Sequence, residues 1–508
     1  MTRAVATTSS ADTGVVTESP GRRLADLDQP TPTHEEGVAA PIIAEANRSR
    51  RMWTVVLDDD PTGTQTVRGA PVVLPGAPDA ELAWAAQHPG GITFVLTNTR
   101  AVDADQAERT TYQLVRRAAR LADGAGHRLR VVTRGDSTLR GHFRTELLAA
   151  GRALADAGQP IDGVLFVPCF LEAGRYTAAD VQWVDQDGLL SPAAHTEFAR
   201  DATFGYEETG LLPWTRARWP VGPHVGSLSL EAIRDRDGVA RIAKILCGMA
   251  HDDIVVANAV RAGDLEVLML ALLAAEQAGR RILVRSGPSM VRLLAGQPSP
   301  EPLTPPEVAA MRRPGGRRGL VVAGSHTALT NAQVAAARAA HDPALVELDA
   351  SAVVGDGGRH ANAEVRRCAE ATSAALARDD VILRTSRDIV HSGQHSPLLV
   401  SRKIAQALSN VVSLVVRRTP PAYVIAKGGI TSSDIAAGAL GSRRALVAGQ
   451  MFPGQVPVWD LRDGLVPGLP LVVFPGNVGH DRTLAEAMER FRDAGSDPGS
   501  VQDEGGPA

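Results

Sequence analysis

The sequence predicts an α/β protein of two domains, each a mainly parallel sheet flanked by helices. Three observations point there. Short apolar runs alternate with helical patterns along most of the chain, as in TVVLDD (54–59), ITFVLT (92–97), RLRVVT (128–133) and GVLFVP (163–168); strands alternating with helices imply parallel strands covered on both faces. The composition breaks between Gln297 and Pro314, where six prolines fall in a stretch that propagates neither helix nor sheet. Residue types that carry chemistry gather just after the strands, where open α/β sheets hold their ligands.

Composition sets the frame for these elements. A chain of 508 residues, 44% apolar and 22% charged, can bury large cores and form several domains at roughly 100–200 residues each. A formal charge of −4 provides no global basic field for nucleic acid or an anionic membrane. Lysine occurs only at Lys244, Lys403 and Lys427, and the other fifty basic residues are arginine, a bias that marks a GC-rich genome and makes each lysine worth inspecting. Cys169, Cys247 and Cys368 are odd in number and form no CxxC pair, so a disulfide framework is not expected and a cytoplasmic location is the default. No run of 18 apolar residues suggests a membrane span. Residues 1–50, rich in Ser, Thr, Ala and Pro with scattered acids, read as a disordered leader.

The first domain is placed at 51–296. Helical patterns at 104–122 and 144–157 separate its early strands, and strands at 253–259 and 281–287 flank an apolar helix at 265–278. Residues 297–317 are expected to be a Pro-rich linker that lets the domains close. The second domain, 318–493, begins with the strand GLVVAGS and alternates through DVILRTS (380–386), AYVIAKGG (422–429) and PLVVFPGNVG (470–479), and 494–508 read as a flexible tail.

Three strand-end loops of the first domain carry the polar chemistry. Asp58, Asp59 and Asp60 repel one another at a strand end, a cost that fits Mg²⁺ binding, acceptance of a hydroxyl proton or bonding to sugar hydroxyls, with a solvated Asp-Pro turn as the plain alternative. Arg134, Asp136, Ser137, Thr138 and Arg140 combine forked donors with hydroxyl-bonding groups, which suits a small polyhydroxy acid. The loop with Glu172 and Arg175 is a third, and its Cys169 is read as a structural thiol. In the second domain, Ser325, the run Lys427, Gly428, Gly429, Ile430, Thr431, and the pair Gly476, Asn477 form small-residue loops at successive strand ends, a composition suited to nucleotide phosphates. Neither a GxxxxGK[ST] motif nor a clean GxGxxG is present.

In chain order, DDDPTGTQTV (58–67), RGDSTLRGH (134–142), PCFLEAGRYT (168–177), TEFARDATFGY (196–206), AGSHTALTNAQV (323–334), KGGITSSDIA (427–436) and FPGNVG (474–479) resemble the four-carbon acid sugar kinase family over residues 53–490. The resemblance implies a sugar-acid-binding first domain, a nucleotide-binding second domain, and phosphorylation of an acid's terminal hydroxyl by ATP with Mg²⁺. For that reaction the expected catalytic residues are Asp59, Asp60 and Asp136, with Arg134, Ser137, Thr138, Arg140, Glu172 and Arg175 expected on the substrate. Ser325, Lys427 to Thr431, Gly476 and Asn477 would meet ATP. Ile430 stands where many relatives carry an acid, so the metal ligands are not assigned. The competing expectation is a non-catalytic sensor of sugar acid and nucleotide. Expected partners are the small acid and ATP, with homo-oligomerisation an open option and no role for nucleic acid or membrane.

Overall fold

A computed structural model describes residues 22–87, 91–219, 224–250, 252–299, 301–316, 318–324, 327–355, 359–386, 397–476 and 478–492. Fifteen strands among them form one sheet. From edge to edge it runs Ala344–Leu348, Val381–Thr385, Gly319–Ala323, Tyr423–Lys427, Pro470–Phe474, Gln455–Leu461, Arg444–Phe452, Pro71–Val73, Ile92–Leu96, Met52–Asp58, Arg128–Arg134, Ile282–Ser286, Gly163–Val167, Ile254–Ala257 and Val225–Leu228. The last eight, from the first domain, are mutually parallel. So are the first five, from the second.

Each half therefore has the predicted architecture, but the two sheets are continuous. The hairpin of Arg444–Phe452 and Gln455–Leu461 joins them: Leu446 pairs antiparallel with Pro71, Ala445 with Val72 and Arg444 with Val73. Bonds from Gly69 N to Val447 O (2.7 Å), Val447 N to Ala70 O (2.9 Å) and Leu74 N to Arg443 O (3.0 Å) extend the seam. One hydrophobic core crosses it, including Val72 and Leu74 on one side and Ala445, Val447 and Trp459 on the other. Crossing the seam reverses strand direction, so the carboxyl ends of the two parallel halves would point apart on a flat sheet. Residues of both halves nonetheless line one cleft. The loops after Met52–Asp58 and Ile92–Leu96 reach across, where Trp459 Nε1 donates to Thr64 Oγ1 at 2.9 Å and Asn98 Nδ2 to Ser433 Oγ at 2.6 Å.

Two expectations about connecting segments need correction. Within the leader, residues 22–50 are folded. Helix Ala39–Ser49 buries Ala39, Ala40, Ile43 and Asn47, and Glu266 accepts the N–H groups of Gly37 (2.7 Å) and Ala39 (3.2 Å) at its start, where a carboxylate meets the positive end of the helix. The Pro-rich segment is likewise strapped down. Thr304 and Glu307 form a capping box for helix Pro305–Met311, with prolines at its first turn, where they need no N–H partner. Glu307 pairs with Arg68 of the first domain, and Leu303 N bonds Gln450 O of the second at 2.7 Å.

Helix Pro397–Arg418 is the one described helix long and apolar enough to cross a membrane by length and composition, and it packs Leu408, Val411, Val412, Val415 and Val416 into the core.

If the 39–49 helix belongs to the core, Ile43→Ala should cost about 2–5 kcal/mol in urea unfolding, the usual range for a large-to-small change at a fully buried site. A change below about 0.5 kcal/mol, within the range of ordinary surface substitutions, would return the segment to the status of a frayed leader.

Candidate functional site

The cleft forms where the carboxyl ends of Met52–Asp58, Ile92–Leu96, Arg128–Arg134 and Gly163–Val167 face the second domain. Its lining includes Asp60, Arg100, Asp136, Arg140 and Arg175 from the first domain, and Pro475 and Val478 from the second.

Local geometry explains how three successive aspartates are tolerated. Asp60 starts a 3₁₀ turn, Pro61–Thr66, and its Oδ1 accepts Thr62 N at 2.8 Å and Thr62 Oγ1 at 2.7 Å. Arg134 Nη1 lies 3.1 Å from both Asp58 Oδ1 and Asp59 Oδ1, and all three side chains are buried. Arg100 pairs with Asp60 and lies 3.7 Å from Asp59 and 3.8 Å from Asp136. Each carboxylate thus faces a guanidinium, and the mutual repulsion expected from the sequence is compensated by Coulomb attraction at short range. Gly63 is required here: a Cβ on it would fall 2.0 Å from Asp58 Oδ2 and 2.6 Å from Arg134 Nε.

The second loop is held from several sides. Arg140 Nε donates to Asp136 Oδ2 at 2.7 Å, Thr138 Oγ1 bonds the same carboxylate, Gln182 Nε2 donates to Ser137 O at 2.8 Å, and Tyr206 OH donates to Thr138 O at 3.0 Å. Phe198 places its ring 5.0 Å from the Arg140 guanidinium, and Asp201 lies 3.8 Å from it, so the 196–206 motif packs around Arg140. Gly141 adopts φ 115°, and a Cβ there would stand 3.0 Å from Asp59 Oδ2.

Electrostatics separate the carboxylates. Burial alone would raise Asp136, but Arg100 and Arg140 outweigh it and hold the group well below the usual carboxylate range. An acid that weak in proton affinity is a poor base. In this arrangement Asp136 orders the two arginines. Burial pushes Asp58 up to about 7 against the pull of Arg134. For Arg134, burial acts against the charge, and Asp58, Asp59 and Asp136 overcome it and raise the guanidinium above its ordinary value. Arg134 is accordingly committed to the protein's own carboxylates, although it borders the cleft.

Other expected residues fall out as follows. Arg175 lines the cleft with its Nε buried and unpartnered, whereas Glu172 lies outside the lining: it accepts Ser289 Oγ, sits 3.8 Å from Arg292, and packs where a Cβ on Gly454 would touch it. That internal pairing removes Glu172 from the substrate set. Lys427 is fully buried, donates to Pro475 O at 2.7 Å with Phe474 beneath it at 4.0 Å, and is pushed down to about 7 by burial. It fastens the Pro475–Gly476 turn and does not present its charge to a ligand. Gly428 has φ 117°, and Thr431 Oγ1 lies 3.1 Å from a Cβ built on it and 2.8 Å from one built on Gly324, so two strand-end loops converge on this hydroxyl. Gly429 comes so close to the first domain that its Cβ would lie 2.9 Å from Asp60 Oδ1. Ile430 is 57% exposed and lines a neighbouring cleft with Asp60, Arg100 and Phe204, which gives it a position facing the first domain. Ser325 and Asn477 lie outside the described residues.

Arg100 is the site residue that the sequence reading passed over. The same strand-end rule points to it, since it follows Ile92–Leu96 by four residues; the loop TNTRA shows no charge cluster because its partners, Asp60 and Asp136, come from other strands.

The two kinds of arginine can be told apart by stability. Arg134→Met should cost about 3–5 kcal/mol in urea unfolding, the scale for breaking a buried ion pair from one side. Arg140→Ala, at a side chain 23% exposed, should cost well under half of that. Equal losses would contradict the division between a fully buried arginine and a partly exposed one.

Comparison with known proteins agrees with this layout. Residues 54–294 match the sugar-binding N-terminal domain family and residues 320–484 the nucleotide-binding C-terminal domain family. D-threonate kinase of Salmonella typhimurium (strain LT2) is 26% identical over 449 residues, which cover 86% of this chain and 98% of that protein. The crystal structure of a Haemophilus influenzae protein shares the fold, with a TM-score of 0.56 at 17% identity over 86% of this chain and 100% of that one. With a sugar-binding half and a nucleotide-binding half joined in one sheet around an arginine-rich cleft, the chain belongs to the four-carbon acid sugar kinase family.

Proposed function

We propose that the protein transfers the γ-phosphoryl group of ATP to the terminal hydroxyl of a four-carbon sugar acid. The observation that carries this reading is the approach of the Gly428–Gly429 loop of the nucleotide-binding half to Asp60 of the sugar-binding half. Phosphoryl transfer needs a donor phosphate and an acceptor hydroxyl in line at close range, and charge neutralisation around them. A loop without side chains beside a carboxylate supports the close approach, and Arg100, paired with that carboxylate, supplies positive charge next to it.

In this reading Arg140 and Arg175 take the substrate carboxylate, with Arg100 beside them, and Ser137 and Thr138 bond its hydroxyls. Asp60, with Asp59 next to it, orients the terminal hydroxyl and accepts its proton as the hydroxyl oxygen bonds to the γ-phosphorus. The bond from that phosphorus to the β–γ bridging oxygen breaks, and ADP leaves. Gly428, Gly429, Thr431 and Gly476 line the phosphates through their backbones. Among the described residues no group of three His, Cys, Asp or Glu side chains is suited to a metal ion. A Mg²⁺ ion arriving with the nucleotide would supply neutralising charge at its phosphates.

The test is ADP formation from ATP over a panel of four- and five-carbon sugar acids, beginning with D-threonate, the acid for which the Salmonella relative is named. Turnover dependent on one acid, lowered at least about 100-fold by Asp60→Asn, is the expected result, since general-base groups contribute about 10²–10⁴-fold. Thermal stabilisation by an acid and by ATP without any ADP would favour the non-catalytic sensor. Near wild-type turnover in Asp60→Asn would remove Asp60 from proton transfer.

A further inference from the structure

The amino-terminal ends of Met52–Asp58, Arg128–Arg134 and Ile282–Ser286 enclose a second cavity, of about 380 Å³, at the opposite end of the strands that deliver Asp58 and Arg134 to the cleft. Seven-residue strands at about 3.3 Å per residue separate the two by roughly 20 Å. Nothing in the sugar-acid chemistry calls for this cavity.

Six arginines gather there: Arg50, Arg128, Arg130, Arg280 and Arg281 line it, and Arg51 borders the adjoining depression. Their carboxylate partners among the described residues are two. Glu276 takes Arg130 through paired bonds of 2.7 and 2.6 Å and Arg50 at 3.3 Å, while Asp162 takes Arg280 at 2.8 Å. The side chains of Arg51 and Arg281 bond backbone carbonyls, of Ala125 and Pro160, while the Arg281 backbone N–H donates to Asp162 Oδ2 at 2.7 Å, and among the described residues the Arg128 side chain pairs with no carboxylate. The excess positive charge is felt inside the cluster: Arg50 is held below its ordinary value by burial first, Glu276 opposes, and Arg128 and Arg130 lower it further. His127 also borders the cavity with its Nδ1 buried and unpartnered. Behind this rim the floor is apolar, with Leu129, Leu154, Ile161 and Ile282 all buried.

Like charges held together around a concave, partly apolar surface cost free energy in the empty protein, and a bound anion recovers it. Forked guanidinium donors match the oxygen geometry of phosphate, and an apolar floor adds affinity for an organic body over a bare ion. In a chain of net charge −4 the cluster is local and is not part of a general basic surface. We propose that this cavity is a second ligand site, separate from the cleft, that binds a small organic phosphate with its phosphate on the rim formed by Arg128 and Arg281 and its carbon skeleton over Ile161 and Ile282.

Isothermal titration of the full chain with 3-phosphoglycerate tests this, with sodium sulfate at matched ionic strength as the bare-anion arm. Because the sugar-acid cleft also takes anions, the titration is repeated in Arg140→Ala and in the double variant Arg128→Ser/Arg281→Ser. The expected result is binding that survives Arg140→Ala, weakens at least tenfold in the double variant at unchanged melting temperature, and exceeds that of sulfate. Binding lost in Arg140→Ala would assign the anion to the cleft, and unchanged binding in the double variant would remove the arginine rim; either overturns the proposal. Sulfate binding as tight as that of the ester would overturn the assignment to an organic ligand. A double variant with a lowered melting temperature is replaced by Ile161→Glu, which puts a negative charge on the floor; unaltered binding in that variant would likewise overturn the site.

Discussion

The antiparallel pairing of Pro71–Val73 with Arg444–Leu446 joins two parallel sheets that would otherwise be free to sit at any angle. The cross-domain contacts near the cleft accompany it. Because the hairpin carrying Arg444 also carries Trp459, the seam brings the indole to Thr64 at the end of the turn that Asp60 begins. Because the turn after Tyr423–Lys427 lies on the same face, Ser433 meets Asn98 and Gly429 meets Asp60. A short β pairing with a shared core thus joins two domains that the sequence reading connected only through a Pro-rich linker that lets them close. The strapped Pro-rich segment, tied to Arg68 on one side and Gln450 on the other, is consistent with that junction.

Within the cleft the governing constraint is charge balance in a desolvated space. Unpaired carboxylates at these depths would take up protons or force the chain open. Arg134 is surrendered to Asp58 and Asp59, and Arg100 and Arg140 keep Asp136 ionised, so the loop geometry is set before any ligand arrives. Arginine suits this role better than lysine, since one planar fork can satisfy two carboxylates at once. Lys427 illustrates the contrast: buried without a carboxylate, it is left with a carbonyl and an aromatic ring and a lowered proton affinity.

Much of this was legible in the chain. The strands with continuous apolar runs, such as Met52–Asp58 and Tyr423–Lys427, stand out because both of their faces are buried, and the loops that follow them contain nearly all the site residues. What could not be read depends on contacts remote in sequence. Three residues, Pro71–Val73, are too few for a period, so the seam left no local signature. The 39–49 helix looks like a low-complexity leader because its buried face is Ala39, Ala40 and Asn47 with Ile43 as its one large apolar side chain. Glu172 and Arg134 have the residue types of ligand-binding groups, and only the positions of Ser289, Arg292, Asp58 and Asp59 reveal that their capacity is used internally.

The central claim is that nucleotide and acid sites meet across the seam, and backbone hydrogen exchange of the full chain with and without ATP tests it most directly. Slowed exchange is predicted in the 428–433 loop and also across the seam in 60–66 and 98–101, the segments that Gly429 and Ser433 touch. Protection by ATP confined to segments away from the seam, or present in 428–433 with no change in the facing loops of the sugar-binding half, would contradict it.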